Sequence, residues 1–182
     1  MSADNSIFCS IDEAIEELRL GRIIVVVDDL NRENEGDLVI AAEKATPESI
    51  NFMMRNGCGL VCLAMSGAIC NRLNLDLLPS SQSEGISTPF TPYIDARTGI
   101  TTGTSSFDRA RTVQVAIDEN STPADLIRGK GQKAVLISHG WRASRKLRSF
   151  ARWSTPMAAW PEFPTLYPTA KNMALRCAPL KT

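Results

Sequence analysis

The stretch RIIVVVDDLNRENEGDLVIAA, residues 22–42, decides how the front of this chain folds. Its residues 23–27 form a continuous β-branched run, which is typical of a strand buried on both faces. Residues 38–42 form a second apolar run of strand length. Between the two runs, residues 28–37 carry five carboxylates and one arginine. We therefore predict two buried strands with a highly charged segment held between them.

Helix signals lie on both sides of this pair of strands. Ser10 comes three residues before Glu13, which is the spacing of a capping box, and apolar residues follow at helical spacing until Gly21. Thr46 and Pro47 mark the start of a second helix, which we expect to end at residues 56–57. The first helix therefore precedes the strand pair, and the second follows it.

Strand and helix patterns continue to alternate along the chain, without internal repeats. The further predictions are strands at 59–64 and 90–95, helices at 68–75 and 107–117, a short helix from 122, a strand at 133–138, and a loop rich in Pro, Ser and Gly at 79–89. This alternation indicates one α/β or α+β layered domain.

The last third of the chain has a weaker pattern. Its aromatic–proline pairs at 160–161, 163–164 and 167–168 suit neither a helix nor a central strand. We expect residues 1–128 to form the core and residues 129–182 to be a divergent C-terminal part of the same domain.

Composition excludes several classes of function. The 20 basic and 20 acidic side chains cancel, so no overall field favours nucleic acid or an anionic membrane. No apolar run approaches the roughly 20 residues that span a bilayer, and we expect no signal peptide because residues 1–10 are polar. The five cysteines lack the spacing of a disulfide framework, which favours a reduced, cytoplasmic protein with free thiols.

The acidic segment 28–37 is the first candidate site. Carboxylate oxygens are the ligands that Mg²⁺ prefers, and it often shares them with substrate oxygens. Arg32 could clamp a phosphate in a bidentate manner, and the remaining carboxylates could move protons next to a carbonyl. The alternative is a solvated acidic turn. The return to an apolar strand after Gly36 favours the site, because it holds the charges between two buried elements.

Three other features allow a functional and a structural interpretation. The Thr/Ser/Gly turn at 101–106 could cradle a phosphate with its hydroxyls and backbone N–H groups, or could simply cap the next helix. Cys62 lies in the middle of an apolar strand, where a free cysteine is more often a core residue than a catalytic one. His139, the single histidine of the chain, could be a metal ligand, a general base or a bystander.

Taken together, these segments resemble 3,4-dihydroxy-2-butanone 4-phosphate synthase, a family of riboflavin biosynthesis. The resemblance covers about residues 11–128. Its most specific element is Asp28-Asp29 followed by Arg32-Glu33-Asn34-Glu35-Gly36-Asp37-Leu38. Supporting matches are Gly59-Leu60-Val61-Cys62-Leu63, Leu75-Asp76-Leu77-Leu78-Pro79, Phe90-Thr91, Thr101-Thr102-Gly103 and Asp108-Arg109-Ala110.

The resemblance implies a fold, a reaction and a set of partners. The fold would be a compact α+β domain with a mixed sheet flanked by helices. The activity would be that of a lyase that converts D-ribulose 5-phosphate into formate and 3,4-dihydroxy-2-butanone 4-phosphate, with Mg²⁺ or Mn²⁺ and no organic cofactor. The protein would be a cytoplasmic homodimer with sites near the subunit interface, and it would bind neither nucleic acid nor membrane.

The resemblance also implies residue roles. Arg32 would hold the substrate, and Glu33 would bind both metal and substrate. Glu35 and Asp37 would assist proton transfers, with Asp37 also touching the substrate. Cys62 would line the pocket as a catalytic group. Thr102 and Asp108 would contact the sugar phosphate, and His139 would be a second metal ligand.

The chain departs from the family pattern at several places. Leu30 and Asn31 stand where the family carries acidic residues. After Arg128 the family's histidine motifs are missing apart from His139, and no clear counterpart of its catalytic glutamate is found; Glu162 lies in a proline-rich setting that does not match. Three interpretations stay open: an active synthase with a diverged end, an impaired homologue that keeps a sugar-phosphate-binding or dimerisation role, and a chain altered in its last third by a change of reading frame.

Overall fold

The computed structural model of the chain describes residues 9–27, 35–57, 60–78, 90–128, 149–156 and 176–179. The helices in these segments are α1 (Ile11–Arg19), α2 (Pro47–Gly57), α3 (Gly67–Arg72) and α4 (Ser106–Ile117). The strands are β1 (Ile24–Val27), β2 (Glu35–Ala41), β3 (Leu60–Met65), β4 (Ile94–Ala96), β5 (Leu126–Arg128), β6 (Ser149–Pro156) and β7 (Arg176–Pro179). Short 3₁₀ turns follow β2 and precede β5, at Ala42–Lys44 and Pro123–Asp125.

Five of the described strands form the main sheet, in the order β3-β6-β2-β1-β7, and β4 pairs with β5 in a small second sheet. The predicted α+β class is confirmed. The predicted mixed sheet is not seen, because every strand pair in the described segments is antiparallel. Residues 28–34 are too short for the crossover that parallel neighbours need, so β1 and β2 pair as an antiparallel unit.

Each face of the main sheet is buried by different helices. Val25, Leu38 and Leu63 belong to the main core, which also contains Ile50 of α2 and Val113 of α4. On the opposite face, a smaller cluster joins α1 to the sheet through Ala14, Leu18, Ile24 and Val39. The β-branched run of β1 is therefore buried on both faces at residues 24 and 25, as its sequence predicts.

Local signals located most helices correctly. The Glu13 carboxylate accepts a 2.7 Å hydrogen bond from the Ser10 N–H, and Ser10 Oγ accepts from the Glu13 N–H, which completes the predicted capping box. The short helix predicted from residue 122 is a 3₁₀ turn. Strand β4 is shorter than the predicted 90–95, while the predicted loop at 79–89 and strand at 133–138 lie outside the described residues.

Two of the strands that the structure describes come from residues 129–182. Strand β6 lies between β2 and β3, and β7 is at the edge beside β1. The aromatic–proline pairs of residues 160–168 lie outside the described residues, so the expectation for them stays a prediction. Within the described segments, no helix has the length and apolar character needed to cross a membrane.

Candidate functional site

The acidic segment is anchored by the pairing of β1 with β2. Val27, at the end of β1, lies opposite Gly36, near the start of β2. Strand β2 begins at Glu35, earlier than predicted, so the last part of the acidic run belongs to the strand rather than to a turn. The predicted site residues Arg32 and Glu33 lie outside the described residues, on the connection between these two paired strand ends.

Asp37 and Cys62 lie on the same face of the main sheet. Asp37 is in register with Ser154 of β6, and Ser154 is in register with Leu60 of β3. Cys62 is two residues beyond Leu60, and residues two apart on a strand share a face. Leu38, the neighbour of Asp37, packs into the main core, so Asp37 and Cys62 lie on the opposite face.

This pairing brings together two residues that are distant in sequence. Their strands are separated only by β6, which corresponds to a lateral spacing of about 10 Å. Cys62 is buried and Asp37 is half-buried. Both side chains therefore belong to the face that α1 covers in part.

The turn at residues 101–104 is organised around the carboxylate of Asp108. Its Oδ1 accepts from the Thr101 N–H at 2.9 Å, and its Oδ2 accepts from the N–H groups of Thr102 at 3.1 Å and Gly103 at 3.0 Å. The Thr101 hydroxyl also donates to Oδ2, at 2.9 Å. Helix α4 starts just beyond, with the Ser105 hydroxyl as its N-cap.

The charge of Asp108 is stabilised inside this turn. Burial by itself raises the pKa of a carboxyl, but hydrogen bonds from Thr101, Gly103 and Ser105 outweigh burial and lower the pKa of Asp108 to about 2. Asp108 is buried and its carboxylate faces the turn. A direct contact with a sugar phosphate therefore stays a prediction, whereas its role in shaping the turn is visible.

The phosphate cradle predicted for this turn needs a correction. Three of the backbone N–H groups that the sequence offered to a phosphate already donate to Asp108, so an internal carboxylate takes the place of the external anion. What the turn presents outward are the exposed side chains of Thr102 and Thr104, whose hydroxyl oxygens lie 2.9 Å apart. Thr102 thus stays a candidate for substrate contact through its hydroxyl.

A second buried carboxylate, Asp95 of β4, lies beneath the same turn. It has no exposed surface, and a Cβ built on Gly103 would come within 2.6 Å of its Oδ2 atom. The half-buried Arg109 donates from Nε to the Thr104 carbonyl at 2.9 Å. The sequence reasoning missed Asp95. An aspartate inside an apolar strand next to the Thr/Gly turn was the available signal.

The acidic segment supplies the donor chemistry of a metal site. Among the described side chains, no three His, Cys, Asp or Glu residues are grouped so as to hold a metal ion. Glu33 and His139, the predicted ligands, lie outside the described residues. The carboxylates of residues 28–37 are hard oxygen donors on a segment held between two paired strands, and such donors fit Mg²⁺.

Comparison with known proteins gives one consistent family. A family model described as 3,4-dihydroxy-2-butanone 4-phosphate synthase matches residues 12–141. The 3,4-dihydroxy-2-butanone 4-phosphate synthase of Pseudomonas aeruginosa is 48% identical over 118 residues, which are 65% of this chain and 32% of that protein. The riboflavin biosynthesis protein RibBA of Aquifex aeolicus is 46% identical over 123 residues, 66% of this chain and 30% of that protein.

Solved structures agree with this result. A crystal structure of 3,4-dihydroxy-2-butanone 4-phosphate synthase in complex with two magnesium ions superposes with a TM-score of 0.73 at 28% identity, covering 81% of this chain and 76% of that one. The match to the curated relatives spans only about a third of their length. Because the family model matches well over half of its residues, this chain belongs to the 3,4-dihydroxy-2-butanone 4-phosphate synthase family.

Proposed function

We propose that this chain is a lyase of riboflavin biosynthesis that converts D-ribulose 5-phosphate into 3,4-dihydroxy-2-butanone 4-phosphate and formate. The observation that carries the proposal is the common sheet face of Asp37 and Cys62. Both residues belong to motifs that resemble the family, and the family model covers both. Asp37 also closes the acidic run that would bind the substrate, and Cys62 lies two strands away on the same face.

Each residue of the proposed site has a chemical task. Arg32 binds substrate oxygens through its planar guanidinium, and Glu33 and His139 hold Mg²⁺ or Mn²⁺. Glu35 and Asp37 move protons at carbons next to the ketose carbonyl. Cys62 lines the pocket, and Thr102 contacts the sugar phosphate through its hydroxyl. When bound, the metal ion supplies positive charge where negative charge develops on adjacent substrate oxygens.

The same proposal includes the assembly and the location of the protein. A homodimer with its sites near the subunit interface follows from the family resemblance. A cytoplasmic location suits the five cysteines, which lack the spacing of a disulfide framework. Analytical ultracentrifugation tests the dimer: a single species with twice the mass of the chain is expected, and a monomer at micromolar concentration would contradict it.

A formate assay tests the reaction. The protein is incubated with ribulose 5-phosphate and Mg²⁺, and formate is measured against a blank without enzyme. Turnover supports the synthase, and Glu33→Ala should then abolish it because the metal is lost. Glu48→Ala is a matched control, since Glu48 is exposed on α2 and outside the proposed site. Full activity of Glu33→Ala would remove Glu33 from the metal site.

A second candidate is a catalytically impaired homologue that binds the sugar phosphate without turning it over. It is favoured by the extent of the similarity. The match with the Pseudomonas aeruginosa relative covers 65% of this chain, and the rest of the chain lies outside that match. Here calorimetry should detect ribulose 5-phosphate binding that Arg32→Ala removes. Arg19→Ala, at an exposed position of α1, should leave this binding intact. If turnover is found, His139→Ala decides whether the last third supplies a metal ligand.

A further inference from the structure

Asp95 and Asp108 hold Gly103 from two sides. On one side, the Gly103 N–H donates to Asp108 Oδ2 at 3.0 Å. On the other, the Asp95 carboxylate lies so close that a Cβ on Gly103 would be 2.6 Å from Oδ2, 2.8 Å from Cγ and 2.9 Å from Oδ1. Gly103 also has a φ of +84°, a conformation that glycine adopts without strain. The position of this residue is therefore fixed by two buried carboxylates.

Arg109 extends this arrangement to the next residue of the turn. Its Nε donates to the Thr104 carbonyl at 2.9 Å. Burial lowers the pKa of Arg109, and the negative charge of Asp95 acts in the opposite direction. Asp95 therefore approaches Gly103 directly and favours the charged form of Arg109, whose Nε donates to the Thr104 carbonyl.

The two carboxylates are also fixed relative to each other. Ala96, next to Asp95, donates its N–H to the Thr112 hydroxyl at 3.0 Å, and that hydroxyl donates to the Asp108 carbonyl at 2.9 Å. Thr112 is buried. Strand β4 and the start of α4 are joined through this one side chain, and the turn between them has little freedom to shift.

The consequence appears at the surface of the turn. Thr102 and Thr104 flank Gly103, both are exposed, and their hydroxyl oxygens lie 2.9 Å apart. Because one of the two hydroxyls donates to the other, the pair offers one O–H to an oxygen of a phosphate or sugar, and it can also accept from a sugar hydroxyl. We propose that Asp95 is a positioning residue that, through Gly103 and Arg109, fixes this pair of hydroxyls for the phosphorylated substrate. The substrate part of this inference rests on the proposed function.

Amide hydrogen exchange of the full chain tests the positioning directly. Asp95→Asn keeps the size of the side chain and removes its charge. We expect the N–H groups of Thr102 and Gly103 to exchange about tenfold faster in this variant, while that of Val113 in α4 changes by less than about twofold. Asp12→Asn, an exposed aspartate on α1, should change none of them. Unchanged exchange at residues 102 and 103, or equal acceleration at Val113, would overturn the proposal.

Substrate binding provides the second measurement. Asp95→Asn should raise KM for ribulose 5-phosphate about fivefold and leave kcat within about twofold, because the threonine hydroxyls bind rather than react. A fall in kcat at unchanged KM would overturn the proposal. If the unaltered protein neither binds nor converts ribulose 5-phosphate, the proposed function fails, and hydrogen exchange still decides the role of Asp95.

A second variant covers the case in which Asp95→Asn does not fold. Arg109→Gln removes the charge on which Asp95 acts, at a half-buried position that tolerates change better. The same local acceleration at Thr102 and Gly103 is expected. Exchange rates equal to those of the unaltered protein would overturn the proposal.

Discussion

The backbone N–H of Gly103 donates to the Oδ2 atom of Asp108 at 3.0 Å, and this contact joins the turn before α4 to the first turn of that helix. Asp108 also accepts from the N–H groups of Thr101 and Thr102. A carboxylate of the chain itself therefore fills the position that an external anion occupies in a phosphate-binding turn. The turn is built before any ligand arrives, and the hydroxyls of Thr102 and Thr104 face outward.

The lowered pKa of Asp108 makes the free energy of unfolding depend on pH. Its pKa is lowered from 3.8 to about 2, so its contribution to the free energy of unfolding is complete above pH 3.8 and is lost as the pH falls towards 2. At neutral pH, Asp108→Asn should lower the free energy of unfolding by about 1–3 kcal/mol, because an NH₂ group that cannot accept replaces one of the two oxygens that the turn's donors face. Urea unfolding followed by circular dichroism at several pH values measures both effects.

The difference in the free energy of unfolding between Asp108→Asn and the unaltered protein should shrink as the pH falls. Asp12→Asn, on the exposed side of α1, serves as the control and should match the unaltered protein at each pH. A gap between Asp108→Asn and the unaltered protein that is as large at pH 2 as at pH 7 would contradict the assigned role.

Gly103→Ala should be strongly destabilising. The new methyl group would meet the Asp95 carboxylate at 2.6 Å, and alanine at a φ of +84° is strained. We expect a loss of about 2 kcal/mol or more in the free energy of unfolding. Gly67→Ala is the matched control, because nothing lies within 4 Å of the added methyl group at the start of α3, and it should be neutral or stabilising by up to about 1 kcal/mol. Equal stabilities of the two variants in thermal unfolding would rule out the close approach of Asp95.

Thr112 can be tested with a pair of substitutions. Thr112→Val keeps the shape but leaves the buried Ala96 N–H without its acceptor, which should cost about 1–3 kcal/mol. Thr112→Ser keeps the hydroxyl and loses one methyl group, at a cost of about 1 kcal/mol. Chemical denaturation should therefore give a higher free energy of unfolding for Thr112→Ser than for Thr112→Val. The reverse order would mean that methyl packing, and not the hydroxyl, joins β4 to α4.

Two buried cysteines allow a separation of activity from packing. Cys62 lies on the sheet face that carries Asp37, whereas Cys70 lies in the main core, where burial raises its thiol pKa to about 11. If the proposed lyase activity is found, Cys62→Ser should lower kcat/KM about tenfold. Cys70→Ser should lower the thermal midpoint and leave kcat/KM within about twofold. Equal kcat/KM in both variants would remove Cys62 from the pocket.

Local signals in the sequence determined the helices and the first strand. The capping box of Ser10 and Glu13 predicts α1 because its partners are three residues apart and need no other part of the chain. The β-branched run at 23–27 predicts β1, since such side chains fit a strand buried on both faces. The resemblance to the synthase family was likewise carried by short motifs, and the family match confirms it.

Tertiary structure decided which of these residues share a sheet face or pack against each other. Asp37 and Cys62 share a face because β6, from far along the chain, pairs between β2 and β3, and no local pattern predicts that partner. Asp95 is buried because β4 packs under the turn of Gly103, although an aspartate in isolation favours solvent. The sequence predicts that the N–H groups of this turn bind a phosphate. In the folded structure they donate to Asp108 instead. A carboxylate that is already buried next to them accepts these hydrogen bonds without the loss of translational and rotational freedom that binding an external ligand costs.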